Sequence, residues 1–343
     1  MHFAPAPNAG TIAGMVAEQP SLLEQIRLTV SADLAAADGM IRQELTSDVA
    51  LVNQVSDYII GAGGKRLRPL ICLLAARAVG LAPVDHQVAG AVIIEFIHTA
   101  TLLHDDVVDG SSQRRGRHTA NQVWGNAASV LVGDFLYSRA FQLMVKLGNP
   151  RVMEIMADAT NVIAEGEVLQ LMNTNDPSTT EERYLDVIYR KTARLFEAGT
   201  QIAGVIAGTD AATERALASY GRHLGNAFQL VDDVLDYRGT HEKRGKNIGD
   251  DLAEGKPTLP VIYGLQHGTA SEKAVLRIAI ETGSIAELDK VLSAIESSGG
   301  LEYTINRAED EAQQALAALQ PLANSAHKEA LIKLAGFAVS RTY

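Results

Sequence analysis

Hydrophobic positions along the chain recur at intervals of three and four residues rather than at every second one, which is the pattern of helices with one buried face. Strongly apolar runs such as Ile93-Ile94-Glu95-Phe96-Ile97 and Ala227-Phe228-Gln229-Leu230-Val231 are embedded in longer Ala- and Leu-rich stretches. No Asn-Gly or Asp-Gly turn joins two alternating segments, so hairpins are not expected. Gly and Pro punctuate the chain at Gly61–Pro69, Gly80–Pro83, Gly110–Gly116, Gly148–Pro150, Asn173–Pro177, Gly208–Asp210, Gly239–Gly255, Gly283 and Ser297–Gly300. The stretches between them predict roughly ten to twelve helices. No boundary combines low complexity with a shift in composition. Residues 21–343 are therefore expected to form one all-α domain, with residues 1–20, which hold three prolines, as a flexible tail.

Composition narrows the picture only slightly. A hydrophobic fraction of 47% and a mean hydropathy of +0.03 describe a globular protein large enough to bury a substantial core. The apolar stretch from Ala89 to Leu103 is interrupted by Glu95 and His98 and reads as a buried helix. A single cysteine, Cys72, excludes an internal disulfide and fits a reducing compartment. With no basic segment leading into a continuous apolar run at the N-terminus, the expected location is cytoplasmic. A net charge of −11 argues against a nucleic-acid partner. Anions would have to be bound locally, by clustered cations or by metal ions.

One short element recurs. Asp-Asp-x-x-Asp occupies Asp105–Asp109 and returns at Asp232–Asp236, 127 residues later. On a helix, residues four apart share a face, so Asp105 stacks on Asp109 and Asp232 on Asp236, with Asp106 and Asp233 turned aside. Stacked carboxylates repel unless something positive lies between them, and Mg²⁺ is the cation that takes one or two carboxylates and completes its shell with water and phosphate oxygens. Either motif alone is also compatible with a solvated helix end. Two of them, each following a strongly apolar run, are harder to explain in that way, because charge beside a core-facing helix needs a partner. Gln229 shares a face with Asp233. Cations cluster in glycine-bounded segments as well: Lys65 and Arg68 in Gly63-Gly64-Lys65-Arg66-Leu67-Arg68-Pro69, then Arg114 and Arg115, Lys191 beside Thr192, and Lys246 and Lys256 around Gly249-Asp250-Asp251. A loop of this kind before a helix is a good anion site. His98 lies two turns before Asp105 and is either a core histidine or part of a cleft wall. Neither a zinc-type spacing nor a Walker or Gly-x-Ser-x-Gly sequence is present.

These motifs, in this order, resemble the trans-polyprenyl diphosphate synthases over roughly residues 25–340. The carrying stretches are Gly63–Pro69, His104–Asp109 with Arg114-Arg115, Lys191-Thr192, Gln229–Asp236 and Gly249–Pro257. Leu131–Phe135 and Glu165–Gln170 look like the long-chain bacterial members that make the octaprenyl side chain of ubiquinone. The resemblance implies an isoprenoid-synthase-type helical bundle around a deep central cavity, working as a homodimer. It implies three Mg²⁺ held by Asp105, Asp109 and Asp232 on an allylic diphosphate such as farnesyl diphosphate, with Arg114, Lys191 and Lys256 on its oxygens. Lys65, Arg68, His98 and Arg115 would bind isopentenyl diphosphate, Lys191, Thr192 and Gln229 would lie near the allylic cation, and Lys246 would assist in substrate binding. Asp106, Asp233, Asp236, Asp250 and Asp251 would act through water or outer contacts with the metals. Short-chain relatives commonly place an aromatic just before the first motif. Ala100 and Thr101 here are small, which implies an open path and a long product, unless they merely pack against a neighbouring helix. Met144 and Met156 are candidate floor residues or ordinary core. Release of a lipid product would bring transient contact with a membrane surface. A class I terpene cyclase normally carries a different second metal motif, and a non-catalytic subunit of a heteromeric synthase usually loses one motif or the basic loop; this chain departs from neither pattern of the synthases.

Overall fold

The structure, a computed structural model, describes residues 20–61, 63–80, 84–114, 116–238 and 248–340. Arg115, Lys246 and nearly all of the expected tail lie outside these residues. Among the described residues the fold is all-α, with twelve helices of ten residues or more, five shorter ones and a two-stranded ribbon.

The chain enters through α1 (Leu22–Leu28), whose start is fixed by a capping box between Ser21 and Glu24. Helices α2 (Ser31–Glu44) and α3 (Ala50–Gly61) follow. Helix α4 (Leu67–Val79) is apolar on nearly every face and accordingly buried on nearly every face. Helix α5 (Val84–Val108) has 25 residues, a length of about 37 Å at the usual rise. It is long and apolar enough to cross a membrane, but most of its apolar window is buried in the core of this fold. A ribbon of β1 (Gln113–Arg114) and β2 (Arg117–His118), paired antiparallel, turns the chain back toward α6 (Ala120–Trp124) and α7 (Asn126–Leu147).

Next come α8 (Pro150–Asn173), capped by the Asn149 side chain, and α9 (Glu181–Ile188). Helix α9 runs without a break through a π-helical turn, Tyr189–Ala193, into α10 (Arg194–Ile206). Helix α11 (Ala211–Arg238) is the longest, and α12 (Asp250–Ala253), α13 (Leu259–His267), α14 (Ala270–Thr282), α15 (Leu288–Ser297), α16 (Gly300–Ala318) and α17 (Ala326–Ser340) complete the chain. The principal core joins α2, α4, α5, α7, α8, α10, α11 and α17, and it includes Leu73, Ile94, Phe96, Leu136, Ile202 and Tyr220. A separate cluster around Leu276, Ile280, Val291 and Ile295 ties α13, α14 and α15 to the C-terminal part of α11. The ends of α5 and α11 that carry the acidic runs thus emerge from a rigid bundle.

Candidate active site

A cavity of about 790 Å³ opens between the C-terminal end of α5, α8, the π turn, α11 and the segment after α12. Asp105 and Asp109 line it from α5 and the residue just beyond, and Asp232 and Asp233 line it from α11. Lys191, Thr192, Gln229, Lys256, Arg114, Arg68, His98 and Thr101 also line it. The structure therefore gathers most of the residues singled out in the sequence, drawn from distant parts of the chain.

Lys191 Nζ lies 3.4 Å from Asp105 Oδ2 and 2.6 Å from Glu167 Oε2. Lys256 Nζ lies 2.8 Å from Asp109 Oδ2 and 2.5 Å from Glu254 Oε2. Burial alone would lower both amines, but the facing carboxylates outweigh it and hold both above the usual lysine range. Burial pushes Glu167 up to about 7 against the opposing pull of Lys191. It likewise raises Glu254, with Lys256 opposing.

The remaining acids of the two motifs are buried. Asp106 is fully buried and accepts from Arg114 Nε at 2.8 Å, which ties β1 to α5. Its carboxyl is raised by burial despite that guanidinium. Asp233 is buried and accepts from Tyr184 Oη at 2.5 Å and from Gln229 Nε2 at 2.7 Å. Burial, then the nearby Asp251, raises it well above the carboxylate range. Asp236 is also buried and accepts the backbone N–H of Asp251 at 3.2 Å, fastening the start of α12. The Gln229 amide is held at its other end by Thr192, whose hydroxyl donates to Gln229 Oε1 at 3.0 Å.

The π turn is wedged between two helices at glycines. A Cβ on Gly166 of α8 would stand 2.9 Å from Lys191 N, and one on Gly225 of α11 would stand 2.5 Å from Ala193 Cα. Both glycines let the turn approach closely enough for Lys191 and Thr192 to reach the cavity.

The basic loop is anchored to α5. Arg68 Nη1 is 2.9 Å from His98 Nε2, and the Arg68 guanidinium stacks 4.6 Å over the Phe196 ring. Arg66, in the left-handed region at φ 44°, pairs with the buried Glu95 one turn before His98. Lys65 Nζ lies 5.6 Å over the Phe337 ring of α17. Ala100, Met144 and Met156 are fully buried in the principal core, and Thr101 lines the cavity one turn below Asp105.

Sequence reading did not single out the roles of Glu167, Glu254, Tyr184 or Glu95. The partners of Glu167, Tyr184 and Glu95 lie on other elements, and the pairing of Glu254 with Lys256 two residues on follows no helical spacing.

Among the described residues no three His, Cys, Asp or Glu side chains converge into a metal site by themselves. That suits Mg²⁺, which takes few protein carboxylates and fills its shell with water and phosphate oxygens. Asp105 and Asp109 already face cationic nitrogen, and the donors are all hard oxygen, so the residues fit the ion.

Comparison with known proteins agrees with this arrangement. Residues 49–296 match the polyprenyl synthetase family. The octaprenyl diphosphate synthase of Escherichia coli is 56% identical over 320 residues, covering 93% of this chain and 99% of that protein. The octaprenyl diphosphate synthase of Haemophilus influenzae is 53% identical over 322 residues, covering 94% and 98%. A crystal structure of polyprenyl synthase from Caulobacter crescentus, complexed with calcium and isoprenyl diphosphate, superposes with a TM-score of 0.90 at 46% identity, covering 94% of this chain and 98% of that one.

Proposed function

This chain belongs to the polyprenyl synthetase family, and we propose that it lengthens farnesyl diphosphate with isopentenyl diphosphate units to octaprenyl diphosphate, the precursor of a ubiquinone side chain. It is a long-chain trans-polyprenyl diphosphate synthase, a prenyltransferase. The observation that carries the site reading is the convergence of Asp105, Asp109 and Asp232 on one cavity with Lys191 and Lys256 beside the first two.

In this reading Asp105, Asp109 and Asp232 would hold three Mg²⁺ and the allylic diphosphate, with Asp106 and Asp236 acting through outer contacts. Magnesium bound there supplies Lewis-acid stabilisation of the departing diphosphate. Arg114, Lys191 and Lys256 take the diphosphate oxygens and stabilise the charge that develops as the C–O bond breaks. Lys65, Arg68, His98 and Arg115 hold isopentenyl diphosphate so that its double bond faces the allylic cation. Thr192 donates to the Gln229 oxygen, leaving that oxygen's second lone pair for the cation. The new C–C bond forms from the isopentenyl π electrons, and loss of a proton to the released diphosphate restores an alkene, so no side-chain base is required. Lys246 would join the substrate contacts from outside the described residues. We place the enzyme in the cytoplasm as a homodimer, touching a membrane surface when it releases product.

Purified protein supplied with farnesyl diphosphate, isopentenyl diphosphate and Mg²⁺ should give products that run mainly as octaprenyl species on a chain-length ladder. Absence of incorporation, beside a working control synthase, would refute the activity; a different dominant length would replace octaprenyl alone.

A further inference from the structure

Each lysine at the cavity mouth is bracketed by two carboxylates, one from the first acidic motif and one from elsewhere. Lys191 stands between Asp105 and Glu167, and Lys256 between Asp109 and Glu254. In both brackets the shorter contact is to the glutamate, 2.6 Å against 3.4 Å and 2.5 Å against 2.8 Å. All six side chains are at most 30% exposed, so these contacts are screened less than surface pairs. An ammonium paired only with the motif aspartate would lose its counter-ion when a divalent cation took that aspartate. A second carboxylate keeps it in place.

We propose that Glu167 and Glu254 are positioning residues that retain Lys191 and Lys256 at the mouth, while the lysines occupy the aspartates until a metal–diphosphate complex displaces them. The lysines thereby disfavour binding of bare divalent cation and are released toward diphosphate oxygens as the metal enters. This rests on the reading of Asp105 and Asp109 as metal ligands.

Mn²⁺ alone, followed by its free-ion electron paramagnetic resonance signal, tests the idea without turnover. Lys256→Met should tighten Mn²⁺ binding roughly five- to tenfold, as expected for removing a partly buried competitor. Glu254→Gln should loosen it, because Asp109 then holds the lysine alone. The double variant should bind as Lys256→Met does, since Glu254 acts through the lysine. Lys191→Met and Glu167→Gln should repeat the pattern. Unchanged affinity in both lysine variants would overturn the proposal. So would a Glu254→Gln effect that persists undiminished in the double variant, which would mark a general field rather than a bracket. Asp109→Asn, measured with Mn²⁺ and inorganic diphosphate, separates the two readings. Binding retained there refutes the ligand assignment itself, whereas binding lost there with unmoved lysine variants refutes only the bracket.

Discussion

Within each Asp-Asp-x-x-Asp run the helix sorts identical side chains by direction. Asp105, Asp109 and Asp232 face the cavity, whereas Asp106 and Asp236 are buried and hold other segments in place. Their substitutions should therefore fail in different ways. Asp105→Ala or Asp232→Ala should cut turnover at least about a hundredfold with little change in melting temperature; near-normal turnover would refute the metal assignment. Asp106→Ala should instead lower the melting temperature, because it strips the counter-ion from Arg114, which is 25% exposed. The cost is about 3 kcal/mol at most, reduced by that partial exposure, and a thermal scan reads it directly. Cys72 gives a third residue-level test. Burial pushes its thiol up to about 12, so at pH 8 a thiol reagent should leave the folded protein unlabelled and label it fully in denaturant.

Helices were legible because their hydrophobic period is local. The shared direction of Asp105 and Asp109 was legible for the same reason, whereas Asp236, four residues after Asp232, is buried and holds the start of α12 instead of lining the cavity. The π turn was not legible: Tyr-Arg-Lys-Thr-Ala has no propensity that separates it from an ordinary helical turn, and its cause lies in α8 and α11. The two-residue strands of the ribbon were too short for any alternation to show. Nor could spacing reveal that Lys256 meets Asp109, a partner 147 residues away. Gly225→Ala tests whether close approach fixes the π turn. Its Cβ would meet backbone at 2.5 Å, so about 1–3 kcal/mol of stability should be lost. Turnover measured well below the melting range should fall too, because Lys191 shifts with the turn. A variant as stable and active as the parent would show that the glycine is incidental.

At the scale of the molecule, α5 joins several tasks on one rigid rod. It anchors the basic loop through Glu95 and His98, carries Asp105, and presents Thr101 to the cavity one turn below. In the proposed reaction the tail of the growing chain leads from the acids past Thr101, which lines the same cavity. Thr101→Phe should therefore shorten the product while leaving the first condensation intact, read as a shift down the ladder with isopentenyl diphosphate still incorporated; unchanged length would dismiss that route. The continuous run from α9 through the π turn to α10 carries a further consequence. One half presents Lys191 to the mouth, and the other packs Leu195, Phe196 and Ile202 into the principal core. A single residue added or lost within that run would turn one half against the other by about 100°. Either the lysine would leave the mouth or the apolar stripe would leave the core. The length of this segment is therefore as constrained as the side chains it carries.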